Sequence, residues 1–250
     1  MHHKKYTFEV CANSVESCIA AQEGGADRVE LCAAIPEGGT TPSFGEIAMA
    51  RCNSDIKLHV IIRPRGGDFL YSPMEANVML ADIDTMQSLK ADGIVTGALT
   101  PEGNIDMKLM ERIMMHAGNI PITFHRAFDH CRNPFEALEQ LISLGVSRIL
   151  TSGLQPTALE GAAMIRQLVE RADGRIAIMA GCGVNEGNIA QIALETGVTE
   201  FHFSAREAVK SGMLVQNSKV KMGSPDADEY TRMTTTAQRV KNTIQALCKK

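Results

Sequence analysis

Tryptophan is absent from the 250 residues, and phenylalanine and tyrosine together supply only 4% of them. A chain so poor in aromatics has little with which to build stacking platforms for single-stranded nucleic acid or sugars. No basic stretch stands out and the formal net charge is −4, so nucleic acid is not an expected partner. No run approaches the roughly 18 apolar residues that cross a bilayer, which removes the membrane from the expected partners. The opening residues, Met1-His2-His3-Lys4-Lys5, carry no apolar signal-peptide core, so the cytoplasm is the expected location and residues 1–5 an expected flexible arm. Seven cysteines are present, at 11, 18, 32, 52, 131, 182 and 248, with no C-x-x-C pair among them. In a large cytoplasmic chain these read as reduced thiols, not a disulfide framework. Walker A, H-E-x-x-H and zinc-finger spacings are missing as well.

What is there is a regular alternation. Eight apolar runs, at Tyr6–Ala12, Arg28–Ala33, Lys57–Pro64, Gly93–Leu99, Pro121–Phe128, Arg148–Leu154, Arg175–Gly183 and Glu200–Ala205, have the length of buried parallel strands. Between them lie helical stripes such as Met110, Ile113, Met114 and Ala117, or Phe135, Leu138, Leu141 and Ile142. Cap signals mark helix starts at Asn13, with Glu16 three residues on, and at Asn133, which precedes Pro134 and Glu136. Gly25, Gly145 and Gly197 each stand about three residues before a strand, as glycines that end helices do. This pattern predicts one α/β domain over residues 1–250, a (β/α)₈ TIM barrel. An open doubly wound sheet would carry a glycine fingerprint after its first strand, where this chain has Asn13-Ser14-Val15-Glu16. Arg65–Met74 and roughly Glu207–Asp228 are predicted lid loops, and a last helix is predicted from about Glu229 to Cys248.

Polar residues recur inside the strands: Glu9 and Cys11, Glu30 and Cys32, His59 and Arg63, His125 and Arg126, His202 and Ser204. Charged groups are rarely buried without partners, so the set reads either as internal ion pairs or as a binding site at the barrel mouth. His125, Glu30 and Arg63 are the catalytic candidates, with His125 or Glu30 moving a proton. Arg65, Gly181, Gly183, Ser204 and Arg206 are the candidates for holding a phosphate or carboxylate near loops seven and eight. The segments Phe8-Glu9-Val10-Cys11-Ala12 and Val29-Glu30-Leu31-Cys32-Ala33 are near copies, expected side by side at equal heights near the mouth. Cys11 and Cys32 then read either as small buried hydrophobes or as two thiolates for a soft metal such as Cu(I), with Cys182 or a histidine as a further ligand.

Several of these segments together resemble the CutC family, the copper homeostasis proteins. They are Glu9-Val10-Cys11-Ala12-Asn13-Ser14-Val15-Glu16-Ser17, Gly24-Gly25-Ala26-Asp27-Arg28-Val29-Glu30-Leu31-Cys32, Val60-Ile61-Ile62-Arg63-Pro64-Arg65-Gly66-Gly67-Asp68-Phe69 and Thr123-Phe124-His125-Arg126-Ala127-Phe128-Asp129. The resemblance covers about residues 6 to 205. It implies a barrel, a cytoplasmic role in copper handling, and Cu(I) held by Cys11 and Cys32. The residues themselves also support a barrel enzyme acting by acid/base chemistry on a small phosphorylated or carboxylated metabolite. The expected partners are thus a copper ion or a small anionic ligand, with a homo-oligomer also possible.

Overall fold

Eight parallel strands close into a barrel in sequence order. They are β1 (Thr7–Ala12), β2 (Arg28–Leu31), β3 (Lys57–Ile61), β4 (Gly93–Thr96), β5 (Ile122–Phe124), β6 (Arg148–Thr151), β7 (Ala177–Ala180) and β8 (Glu200–Phe203). The helices are α1 (Val15–Glu23), α2 (Phe44–Asn53), α3 (Pro73–Ser88), α4 (Met107–Ala117), α5 (Pro134–Ser143), α6 (Ala162–Ala172), α7 (Ile189–Thr196) and α8 (Ala237–Cys248). The computed structural model describes residues 6–217, 219–222 and 228–248; the predicted arm at 1–5 lies outside them, as do residues 218 and 223–227 of the second predicted lid.

Strand alternation sorts the side chains into two populations. Phe8, Val10, Ala12, Val29, Leu31, Leu58, Val60 and Ile62 are fully buried in the layer shared with the helices, beside Ile47, Met79, Ile83, Met110 and Ile113. The opposite parity points into the barrel and is unusually polar. A barrel interior is ordinarily filled by branched apolar side chains. Here Glu9, Arg28, Glu30, His59 and Arg148 occupy it, with Glu200 and His202 completing the set. Arg28 donates from Nε to Glu9 Oε2 at 2.5 Å and also pairs with Glu200. Arg148 Nε reaches the same Glu200 carboxylate at 2.5 Å. Gly93 gives the His59 ring its room, because a Cβ there would lie 2.6 Å from the ring atoms.

The register between β1 and β2 corrects one expectation. Cys11 pairs with Glu30, not with Cys32. The near-copy segments are therefore offset by two residues, because the strands of a closed barrel are staggered by its shear. Ser14, not Asn13, caps α1, accepting from the Ser17 amide at 3.1 Å. Asn133 caps α5 as expected, and Gly25, Gly145 and Gly197 all adopt positive φ.

The predicted last helix starts eight residues late. Thr231–Thr235 forms strand β10, antiparallel to β9 (Arg206–Lys210), so helix begins only at Ala237. The run Thr-Arg-Met-Thr-Thr is rich in β-branched residues, which favour a pleated ribbon over a helix. The ribbon stands beside the mouth, tied down by Asn13 Nδ2 donating to Met233 O at 3.0 Å and Thr235 Oγ1 donating to Ser204 O at 2.9 Å.

Removing one member of a buried ion network leaves the others without counter-charge. Arg28→Met should therefore cost about 3–5 kcal/mol of stability, read by chemical denaturation. A loss below about 1 kcal/mol, the scale of an exposed pair, would show that the network is not desolvated.

Candidate functional site at the barrel mouth

The inward residues nearest the C-terminal ends of the strands converge on one place. Cys11 Sγ and Cys32 Sγ are 3.5 Å apart, although their backbones are offset by two residues. A carboxylate oxygen of Glu30 lies within 4.8 Å of both. Arg206 donates from Nη2 to Cys11 Sγ at 3.4 Å, and Cys32 Sγ approaches Ala12 O at 3.4 Å. His202 is anchored by Glu9, with Nδ1 2.7 Å from Oε1, and its Nε2 is 3.5 Å from Glu30 Oε2.

These contacts fix charge states. Glu9 is fully buried, and burial alone would raise its carboxyl; Arg28, His202 and His59 outweigh that and hold it well below the usual carboxylate range. His202 is likewise desolvated, but Cys11, Glu9 and Glu30 hold it protonated, well above an ordinary imidazole. Cys11 is held well below an ordinary thiol, first by the Cys32 S–H that it accepts, then by His202 and Arg206 against the cost of burial. Cys32 is pushed the opposite way by the same contact and remains the thiol. Burial pushes the Glu30 carboxyl up to about 8, so it is protonated at neutral pH. The mouth thus holds a thiolate, a thiol, an imidazolium and a neutral carboxylic acid side by side.

Above them opens a cavity of about 450 Å³ whose walls include Cys11, Glu30, Cys32, Arg63, His125 and Arg206. It adjoins a second, of about 370 Å³, at loops seven and eight, and Cys11, Arg126, Cys182, His202 and Arg206 line both. Gly183 and Ser204 line the second cavity, so three of the five candidates for an anion site meet there with Arg206.

The other two are elsewhere. Gly181 points into the barrel, where a Cβ would come within 2.4 Å of Leu150 Cδ1; its role is packing. Arg65 lines neither cavity, and loop three itself takes its donors, at Glu75, Asp68 and the Gly66 and Leu70 carbonyls. Arg63 does line the larger cavity, yet its guanidinium ties loops together through Glu37 O, Gly39 O and Gly67 O at 2.6–2.8 Å. The predicted lid at Arg65–Met74 contributes Phe69, whose ring centroid lies 5.0 Å from that of His125 and 5.0 Å from the Arg63 guanidinium.

His125 corrects the expectation of a general base. Its Nδ1 accepts the Ala127 amide at 3.2 Å, which puts the ring proton on Nε2. Burial, with Arg63 adding to it, pushes its pKa down to about 3. At neutral pH it is a hydrogen-bond donor. Asp129 is similarly committed, accepting from Thr151 Oγ1, Arg126 Nε and the Ser152 and Leu154 amides.

Comparison with known proteins resolves the kinship. The CutC family model matches residues 6–207. The chain belongs to the CutC family. A Bacteroides thetaiotaomicron family protein CutC is 62% identical over 246 residues, covering 98% of this chain and 99% of its own. The human "Copper homeostasis protein cutC homolog" is 47% identical over 245 residues, covering 98% of this chain and 89% of its own. The crystal structure of the putative copper homeostasis protein CutC from Streptococcus agalactiae is similar at 36% identity and TM-score 0.76, covering 80% of this chain and 98% of that one. In this CutC family member, two residues that carried no individual role in the sequence reading, His202 and Arg126, line both mouth cavities, and a third, Glu9, anchors His202 from within the barrel. The alternation Glu200-His202-Ser204 on the last strand was the available signal, since it repeats the inward parity of Glu9 and Cys11.

Cys11 should be the fastest of the seven cysteines to alkylate with iodoacetamide, and its rate should begin to fall only at a pH well below that at which an ordinary thiol loses reactivity. His202→Gln should move that fall to higher pH. An ordinary thiol profile in the wild-type protein would contradict the assignment.

Proposed function

We propose that this chain handles copper in the cytoplasm and takes Cu(I) as cargo at Cys11 and Cys32. The observation that carries the reading is the approach of two sulfurs to 3.5 Å, one of them already a thiolate. Thiolates are the ligands that select a soft monovalent ion, and Glu30 and Cys182 stand near enough to the same cavity to assist. The donor set suits the ion for a second reason. Cys32 holds the proton that lies between the two sulfurs, and a cation placed there replaces that proton. The names of the human and Streptococcus relatives refer to copper homeostasis, which agrees with this reading.

Reduced protein titrated with Cu(I) against a competing chelator should bind one ion and release about one proton. The Cys11→Ser/Cys32→Ser double variant should lose more affinity than the roughly 10- to 100-fold that a merely supporting residue costs. Unchanged binding in that variant would reject the site.

One observation favours a second reading, a barrel enzyme acting on a small phosphorylated or carboxylated metabolite by acid/base chemistry. Glu30 is a buried acid with a pKa of about 8, next to a thiolate, on the wall of a closed-in cavity. Turnover that Glu30→Gln abolishes while the cysteine pair still binds Cu(I) would favour it. Turnover unchanged in Glu30→Gln would remove Glu30 from that role.

A further inference from the structure

The larger mouth cavity is lined by two guanidinium groups that no carboxylate of the described residues pairs with. Arg63 is buried, with 4% of its surface exposed; its Nη donors meet backbone carbonyls only and its Nε meets no partner. Arg206 meets the Cys11 sulfur. Among the described residues no carboxylate lies within ion-pair distance of either guanidinium, whereas Arg28, Arg65, Arg126 and Arg148 all have one. Buried charge without a counter-ion is uncommon because desolvation is costly.

Hydrogen bonding points the same way. Among the described residues, few buried side-chain polar atoms have no partner, and three of these belong to residues of this one wall: Arg63 Nε, His125 Nε2 and Arg206 Nε. All three are donors. The Arg206 Nε always carries hydrogen, and the Ala127 amide on Nδ1 of His125 leaves the ring hydrogen on Nε2. His125 is 5% exposed, so water does not take the place of a partner freely. A buried donor left unsatisfied costs about 1–3 kcal/mol, and three on one wall define the kind of atom that is missing. It is an acceptor, and the buried Arg63 charge without a carboxylate partner makes it a negatively charged one.

We propose that the cavity over the thiol pair binds a small oxyanion-bearing organic molecule, with a carboxylate or phosphate oxygen received by His125 Nε2–H and Arg206 Nε–H and its charge balanced by Arg63 and Arg206. The space of about 450 Å³ is of the size that holds a small metabolite. This deepens the enzyme reading by assigning the donors that receive the anion, but it rests on the cavity and not on turnover. Anion binding without any reaction would leave it standing while that reading fell. It is also independent of Cu(I), because the donors named are not the sulfurs. It does place the ligand directly over Cys11, which makes that thiolate a reporter.

The test uses the reduced full-length chain with inorganic phosphate, with malonate and, as a neutral control, with malonamide, ionic strength being matched with chloride. Two signals are followed: the rate of Cys11 alkylation by uncharged iodoacetamide, and the ¹H–¹⁵N resonance of His125 Nε2–H. At least one anion should slow Cys11 alkylation saturably and move the His125 resonance over the same concentration range, and the diamide should do neither. Activity of phosphate alone identifies a phosphate-bearing ligand, and of malonate alone a carboxylate. Arg206→Gln, at a half-buried position that should tolerate the change, should weaken the effect about 10- to 100-fold, the worth of one charge-assisted hydrogen bond. His125→Gln, which keeps an N–H donor, should retain more binding than His125→Phe. No protection of Cys11 and no movement of the His125 resonance with either anion would overturn the proposal in the wild-type protein, without recourse to variants. Protection undiminished in Arg206→Gln would overturn it equally.

Discussion

A carboxylate at the centre of a barrel, with none of its surface exposed, stays ionised only if cations surround it, and Glu9 is so surrounded. Arg28 donates to one oxygen at 2.5 Å and His202 meets the other at 2.7 Å. Toward the N-terminal ends of the strands this charge is continued by Arg28, Glu200 and Arg148. Toward the mouth it fixes His202 as a cation, which joins the Cys32 thiol and Arg206 in holding Cys11 well below an ordinary thiol. The ionic interior that would be a liability in an ordinary barrel is what prepares the mouth.

The contrast with Glu30 shows how local this control is. Glu9 and Glu30 are both buried carboxyl groups on adjacent strands, yet one is held ionised and the other is pushed up to about 8. Arg28 pairs with Glu9 and not with Glu30, where burial, with Cys11 and Glu9 adding to it, outweighs the His202 cation. Two acids driven apart in this way allow one site to offer both a fixed charge and a proton. The sulfurs supply soft ligands, while Arg206, Arg63 and His125 supply hard donors a short distance away. One mouth can therefore receive a metal ion and an organic anion on different atoms.

The barrel was legible from the sequence because it rests on local signals: runs of strand length, helical stripes, and glycines such as Gly25 and Gly197 whose positive φ only a helix end requires. The meeting of Cys11 and Cys32 was legible too, since repeated segments on consecutive strands must be neighbours. Their register was not, because shear is a property of the closed barrel and of no single strand. Parity was hidden for the same reason, and with it the roles of Glu9 and His202, whose importance lies in partners almost two hundred residues apart. Arg65 and Gly181 look like anion ligands by residue type. The structure gives the first to its own loop and the second to packing against Leu150. Residues 231–235 are ribbon where helix was expected, because the apolar spacing of α8 does not extend backward through a run whose β-branched side chains prefer a pleated strand.

The most direct test of the chain of charge from Glu9 to Cys11 is the ¹⁵N spectrum of the His202 ring at pH 7 in the reduced protein. Both ring nitrogens should carry protons, and Glu9→Gln should move the ring toward the neutral form. A His202 that is already neutral at pH 7 in the wild-type protein would contradict the account, since nothing buried beside Cys11 would then hold it as a thiolate except Arg206 and its neighbouring thiol.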